Sequence, residues 1–407
     1  FSIPSVFIAA HVAYNDLTVT FYGFLAVYAF FNWFEQQKSR WLILCGVFCG
    51  LAIGTKYTAL FSVCVGCLGI LWACRSKKYN WRQAFGFVSI FFAGALLVGC
   101  PFYLRNLTVT GNPFYPFLYQ IFGGKGLDPE LARLYDLFVQ SLGMGRRVLD
   151  YLLLPWNVSM KAKMGSPQFD GIIGPVFVLT LPFAVGIRKI PVQLKLVLVY
   201  SFLVFMFWAT SAQQIRYLIP ILPFLALVIG YVIEYYSKKR LLSILLTTVI
   251  LVSVGLNGYH IMKGFLKIQP TAVIAGTESK HRFLNRSVPG YDMYRYVNRS
   301  LSDDSRLLFI YMKNFGYLCD RPFYSDSMFE SYTIQKILSE ASDPRRVLAL
   351  LKDRGFTHLL CDMRYVYGPM STFTPAQKTL FRAFECKYLD LVKDQRGVYR
   401  LYRLSEL

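Results

Sequence analysis

No lysine or arginine falls inside any of the long apolar runs of this chain, although the two types number 44. Acids are scarce, with 23 Asp and Glu, and histidine occurs four times. A path through a bilayer lined by a relay of buried acids is therefore not written in the sequence, which weighs against the alternative of a multi-pass transporter or lipid flippase. Internal repeats and low-complexity tracts are absent as well. No recognition motif accompanies the net charge of +21, so the cation excess does not argue for nucleic acid. The chain opens at Phe1 inside an apolar stretch, without an initiator Met, a basic n-region or a small-residue cleavage site; it reads as a fragment lacking its N-terminus rather than as a signal peptide.

What the chain does hold is apolar. Of 407 residues 55% are hydrophobic and 17% aromatic, and the mean hydropathy is +0.40, against about 45 to 50% apolar in a soluble domain. The bilayer is its solvent. Candidate spans cover 16–34, 41–54, 57–74, 83–104, 171–187, 196–210, 217–233 and 241–260, several of them near the roughly 20 residues that cross about 30 Å of hydrocarbon. Residues 1–14 read as the remnant of a further span, giving eight or nine in all. The 41–54 run, about 21 Å long as a helix, stops short of the far surface.

Basic residues sort by loop. Lys38 and Arg40, Arg75 to Arg82, Arg188 to Lys195, and Lys238 to Arg240 place twelve on alternate connections, whereas the short opposite connections hold only Lys56 and Arg216. By the positive-inside rule the first set is cytoplasmic, and Asp16, Lys56, the 105–170 loop, Arg216 and the tail lie outside. Nine cysteines divide similarly. Cys64-x-x-Cys67 lies in an apolar run without further ligands and reads as helix packing, and Cys319, Cys361 and Cys386 of the polar tail allow one disulfide with a thiol left over.

The loop 105–170 mixes apolar pieces (113–122, 148–156) with Gly, Pro and charge, and is long enough to carry function or lie along the interface. Its Gly123-Gly124-Lys125-Gly126 lacks the strand and Lys-Ser/Thr of a P-loop and reads as a hinge. From about Gly264 the texture changes to short elements: strands at 306–312, 357–362 and 397–404, helices at 344–354 and 375–388. This predicts a soluble α/β domain over 264–407, following a polytopic domain over 1–263.

A few polar residues stand out against this background. Asp16 heads a span, where a carboxylate is either a helix N-cap or a functional group, two roles that coexist. His11 stands near enough in sequence to share a metal with it, or is structural. Lys56 interrupts an uncharged stretch at a bend, either snorkelling to the surface or neutralising a lipid phosphate. Arg105-Asn106 and then Gly111-Asn112-Pro113-Phe114-Tyr115-Pro116 form a rigid turn after a span. Arg216, at the start of another span, opposes the helix dipole, which suggests an anionic partner or anchoring at the interface with Tyr217. One carboxylate, three cations, amides and tyrosines on one face suit phosphate chemistry: cations stabilise a leaving phosphate, and a carboxylate takes a hydroxyl proton or binds a divalent ion such as Mg or Mn. Sequons at Asn106, Asn157, Asn285 and Asn298 decide nothing.

Asp16 heading its span, the 41–60 segment with Gly50-Leu51-Ala52 and Thr55-Lys56-Tyr57, Tyr103-Leu104-Arg105-Asn106 with Thr110 to Pro116, Arg216-Tyr217 with Pro220 and Pro223, and in the tail 317–322 and 350–360 together resemble the GT-C superfamily of polytopic glycosyltransferases. The branch is that of bacterial relatives of protein O-mannosyltransferases and lipid A aminoarabinose transferases, glycosyltransferase family 39-like. The resemblance implies a mainly α membrane protein, a GT-C-like helical bundle with a C-terminal soluble α/β domain. It implies sugar transfer from a polyprenyl-phosphate carrier to a lipid, glycan or protein acceptor on the extracytoplasmic face of the bacterial inner membrane. It makes Asp16 the catalytic or metal-binding acid and Lys56, Arg105 and Arg216 ligands of the carrier phosphate, with Asn106, Asn112, Tyr115 and Tyr217 lining the site. The acidic residue that such enzymes carry in a first external loop would precede Phe1. An external binding module on a structural anchor is the remaining reading; it would leave Asp16 and Arg216 silent to mutation.

Overall fold

A computed structural model describes residues 2–406 except 314, 327 and 328. It divides into two compact units, Phe1–Lys267 and Ile268–Leu407.

The first unit is helical. Among the described residues six helices are long and apolar enough to cross a membrane: Asp16–Gln36 (α2), Tyr57–Ser76, Trp81–Thr110 (α5), Val192–Thr210 (α10), Ile215–Tyr236 and Arg240–Ile268 (α12). The second and fifth begin with a 3-10 turn before the α-helices Leu60–Ser76 (α4) and Leu222–Tyr236 (α11). The other apolar runs of the sequence form shorter helices. Ser39–Thr55 (α3) has only 17 residues, about 26 Å of helix. The 171–187 run yields a five-residue helix, Val176–Thr180 (α9), followed by a 3-10 segment opening at Leu181-Pro182, because Pro182 has no N–H to continue the ladder. Residues 1–14 provide only Pro4–Ala9 (α1).

Local signals set the ends. Asn80 and Gln83 form a reciprocal capping box at the start of α5, and Gly111, at φ +80°, closes its far end with the left-handed residue a helix terminus favours. Between α3 and α5 the backbones nearly touch. A Cβ on Gly46 would come within 2.2 Å of the Phe91 carbonyl oxygen, and one on Gly50 within 2.6 Å of that of Ala95, so these glycines permit the close crossing usual among membrane helices. The loops after α2, α4 and α9 meet at one end of the bundle: Tyr79 donates to Gln37 (2.7 Å), Gln193 to Glu35 (3.0 Å), and Lys77 stacks on Phe34. Three of the four basic connections thus share an end. Among the helices of the 105–170 loop, Val148–Met160 (α8) exposes Val148, Leu149 and Leu152.

The second unit is a sheet between helices. Leu307–Ile310 (β1), Phe323–Ser325 (β2), His358–Asp362 (β3), Leu389–Gln395 (β4) and Tyr399–Leu404 (β5) run in the order β2-β1-β3-β5-β4, with β1 parallel to β2 and β3, and β5 antiparallel to β3 and β4. Alternate residues of β1 face opposite sides. Leu308 and Ile310 pack with Tyr332–Glu340 (α16), Pro344–Asp353 (α17) and Pro375–Tyr388 (α19), while Leu307 and Phe309 pack with Tyr291–Ser300 (α15). A strand buried on both faces reads as a continuous apolar run, which is why β1 and β3 are legible and the half-exposed β2 and β4 are not. Cys319, Cys361 and Cys386 are all free thiols, so the disulfide the spacing allowed does not form.

Candidate functional site

Helices α2 and α3 run antiparallel, which sets the N-terminus of one beside the C-terminus of the other. Asn15 occupies the N-cap position of α2 but spends its side-chain amide on the Thr55 carbonyl at the end of α3 (2.9 Å). Asp16 occupies the first turn of α2, and Lys56 follows the last residue of α3. A carboxylate at a helix N-terminus and an ammonium at a C-terminus each complement the local dipole. The two are also paired directly, Lys56 Nζ with Asp16 Oδ1. Asp16 is only 2% exposed.

Across from this pair the Ile215–Ile221 3-10 segment presents Arg216 and Tyr217. Tyr217 lies between both cations, its ring centre 4.2 Å from Lys56 Nζ and 5.0 Å from Arg216 Cζ. Arg216 also lies 4.9 Å from the ring of Tyr14 and donates to the Tyr217 hydroxyl (3.0 Å). Its Nε is buried without a hydrogen-bond partner. Asp16, Lys56 and Arg216 therefore carry one negative and two positive charges at a partly desolvated locus, with at least one guanidinium donor unspent. Such an orphaned donor costs free energy unless an acceptor arrives.

The loop after α5 builds one wall. Tyr57 donates to the Tyr115 carbonyl (2.7 Å) and accepts from Asn106 (2.6 Å), and Tyr103 donates to Ile53 O (3.0 Å) at the end of α3. Asn112 is fully buried; its amide donates to Phe117 O and Gly123 O and its oxygen accepts from Phe114 N. Asn112 thus holds the turn rather than facing a ligand, and Tyr115 contributes through its carbonyl. Tyr135, on Pro129–Ser141 (α7), has its hydroxyl pushed up to about 12 by burial, with Tyr217 and Asp136 adding to the effect.

Arg105 departs from expectation. It is exposed, and no side-chain hydrogen bond or ion pair ties it to Asp16, Lys56 or Arg216 among the described residues, whereas the next residue, Asn106, donates to Tyr57. His11 donates to Phe7 O (2.6 Å) within its own turn and takes the structural role. Tyr14, Asn15 and Tyr57 were not singled out beforehand; each adjoins a charged or functional position, the one signal that could have found them. No group of three or more His, Cys, Asp or Glu converges among the described residues. One carboxylate already offset by an ammonium does not fit a divalent ion as a protein-built site.

Below Tyr217 a narrow cleft passes Thr58, Trp208, Ser62 and Tyr200. At Ser62 and Tyr200, whose hydroxyls are 3.3 Å apart, it meets an apolar cavity of about 300 Å³ between α2, α3, α4 and α10.

The helical bundle followed by an α/β unit has the GT-C membrane fold, the fold of two solved structures. ArnT from Cupriavidus metallidurans bound to undecaprenyl phosphate matches with a TM-score of 0.53 at 12% identity, over 97% of this chain and 75% of that one. The Archaeoglobus fulgidus oligosaccharyltransferase in its apo form matches with a TM-score of 0.50 at 11% identity, over 99% of this chain and 59% of that one. The chain belongs to the family described as Domain of unknown function (DUF8201), which matches residues 3–223. No curated protein matches it in sequence.

Proposed function

We propose that this chain is a membrane glycosyltransferase that moves a sugar from a polyprenyl-phosphate carrier to an acceptor on the extracytoplasmic face of the inner membrane. The observation that carries the reading is the unsatisfied, twice-stacked Arg216 beside the Asp16–Lys56 pair. An anion completes this set, and the apolar cavity continuing from it suits an isoprenoid tail. The likeness to ArnT, whose solved structure holds undecaprenyl phosphate, supports the choice of anion.

In this reading Arg216 and Lys56 hold the carrier phosphate and stabilise the charge that grows on it as the glycosidic bond breaks. Asp16, held in place by Lys56, accepts the acceptor hydroxyl's proton as that oxygen attacks the sugar. Tyr217 fixes the two cations relative to one another. A divalent ion, magnesium or manganese, finds no second protein carboxylate beside Asp16 among the described residues, and no step depends on one. Asp16→Asn and Arg216→Ala each abolish transfer from a polyprenyl-phosphate sugar while expression persists. Undiminished turnover in both variants refutes the assignment.

A further inference from the structure

The second unit carries a cluster of cations that the transferase reading does not use. On α15, Arg295 and Arg299 stand four residues apart, a spacing at which like charges face one another and destabilise the helix. Strand β4 and the turn after it bring Lys393 and Arg396 to the same place, and together these elements line a cleft of about 430 Å³. Two acids adjoin it without neutralising it. Asp394 is committed to Arg400 (2.8 Å) and to the Gly397 N–H (2.6 Å), and Asp292 reaches Arg295 only at 3.9 Å.

Two atoms at the cleft are left without partners. Arg295 Nε and Gln395 Oε1 are both buried and make no hydrogen bond. The guanidinium donor needs an acceptor, and a rotated Gln395 amide would add an N–H donor beside it. Arg299, Lys393 and Arg396 are exposed, and Lys393 stacks over Tyr296 (5.3 Å). Four cations converging with one of their donors already desolvated is an arrangement suited to a compact dianion. A single carboxylate would leave most of the charge unmatched, whereas a phosphate monoester accepts from two guanidinium forks and an ammonium at once.

We infer that this cleft is a binding site for a phosphate ester, separate from the cluster around Asp16 and borne by the soluble unit alone. Its shared chemistry fits either a soluble sugar phosphate or the headgroup of an anionic phospholipid. Met293 and the ring of Tyr296 line it beside the charged groups, and the phosphate is the part the cations grip.

The test uses the full chain in neutral-detergent micelles, titrated calorimetrically with inorganic pyrophosphate and with glucose 1-phosphate. The paired change Arg299→Gln and Lys393→Gln, at two exposed positions, weakens binding about tenfold or more by removing two charge-assisted contacts. Arg345→Gln, an exposed cation elsewhere in the same unit, leaves it unchanged. If the pair fails to fold, Arg396→Gln in the turn is read the same way. Saturable glucose 1-phosphate binding assigns the site to a soluble ester; displacement of pyrophosphate by phosphatidic acid in nanodiscs assigns it to a lipid headgroup. Equal affinity in the wild type and the paired variant, or a loss that follows Arg216→Ala instead, overturns the inference. Neither result bears on transfer by the Asp16 site, which is read by turnover.

Discussion

The ring of Tyr217 lies 4.2 Å from the ammonium of Lys56. That ammonium is paired with Asp16 on α2, so one tyrosine ties the α2–α3 end to the segment that opens α11. Cation–ring attraction grows as water is excluded, and the arrangement explains how residues 16, 56 and 216, distant in sequence, hold one geometry. Its consequences are measurable.

Lys56→Met removes the only ion-pair partner, among the described residues, of a carboxylate that is 2% exposed. Breaking such a pair from one side costs about 3 to 5 kcal/mol. The double variant Asp16→Asn with Lys56→Met leaves no buried charge and regains most of that loss. Thermal unfolding of the purified protein should show the single variant well below the double, with neither transferring sugar.

Arg216→Lys keeps the charge but not the function. The guanidinium is flanked by Tyr14 and Tyr217 and donates to the Tyr217 hydroxyl, a planar arrangement that an ammonium cannot reproduce. Carrier affinity should fall about tenfold or more, close to the effect of Arg216→Ala; a Lys variant as good as wild type would show that charge alone matters.

Asn112→Ala strips three hydrogen bonds from the turn after α5. Each buried group left unpaired costs about 1 to 3 kcal/mol, and the 112–123 segment should become far more open to limited proteolysis. Unchanged cleavage would mean that other contacts hold the turn.

Chelation separates the two roles open to Asp16. With its charge offset by Lys56 and no acid cluster around it among the described residues, transfer should continue in excess EDTA. A loss of activity restored by magnesium or manganese would assign Asp16 to a metal.

The membrane unit was legible because its signals are local. Long uncharged runs announce spans, and Asp16, Lys56 and Arg216 are conspicuous as charges at the edges of such runs. The 171–187 run misled because apolar composition says nothing of Pro182 breaking the ladder. One residue along a helix turns a side chain by about 100°, which the sequence pattern does not resolve: Asn106 donates to Tyr57, while its neighbour Arg105 is exposed. In the second unit the parallel strands β1 and β3 were visible as apolar stretches, but β4, with only Leu389, Leu391 and Val392 apolar in its seven residues, resembles a loop until β5 pairs with it. The cleft by Arg295 depends on that pairing, and no spacing in the sequence joins 295 to 393.

The central claim is that Asp16, Lys56 and Arg216 form one receptor for a lipid-borne phosphate. Equilibrium binding of radiolabelled undecaprenyl phosphate to the full-length protein in nanodiscs tests it directly. Saturable binding that weakens at least about tenfold in Arg216→Ala, and persists when the exposed Arg105 is changed to Ala, is the result expected here. Equal affinity in the wild type and Arg216→Ala would contradict the account.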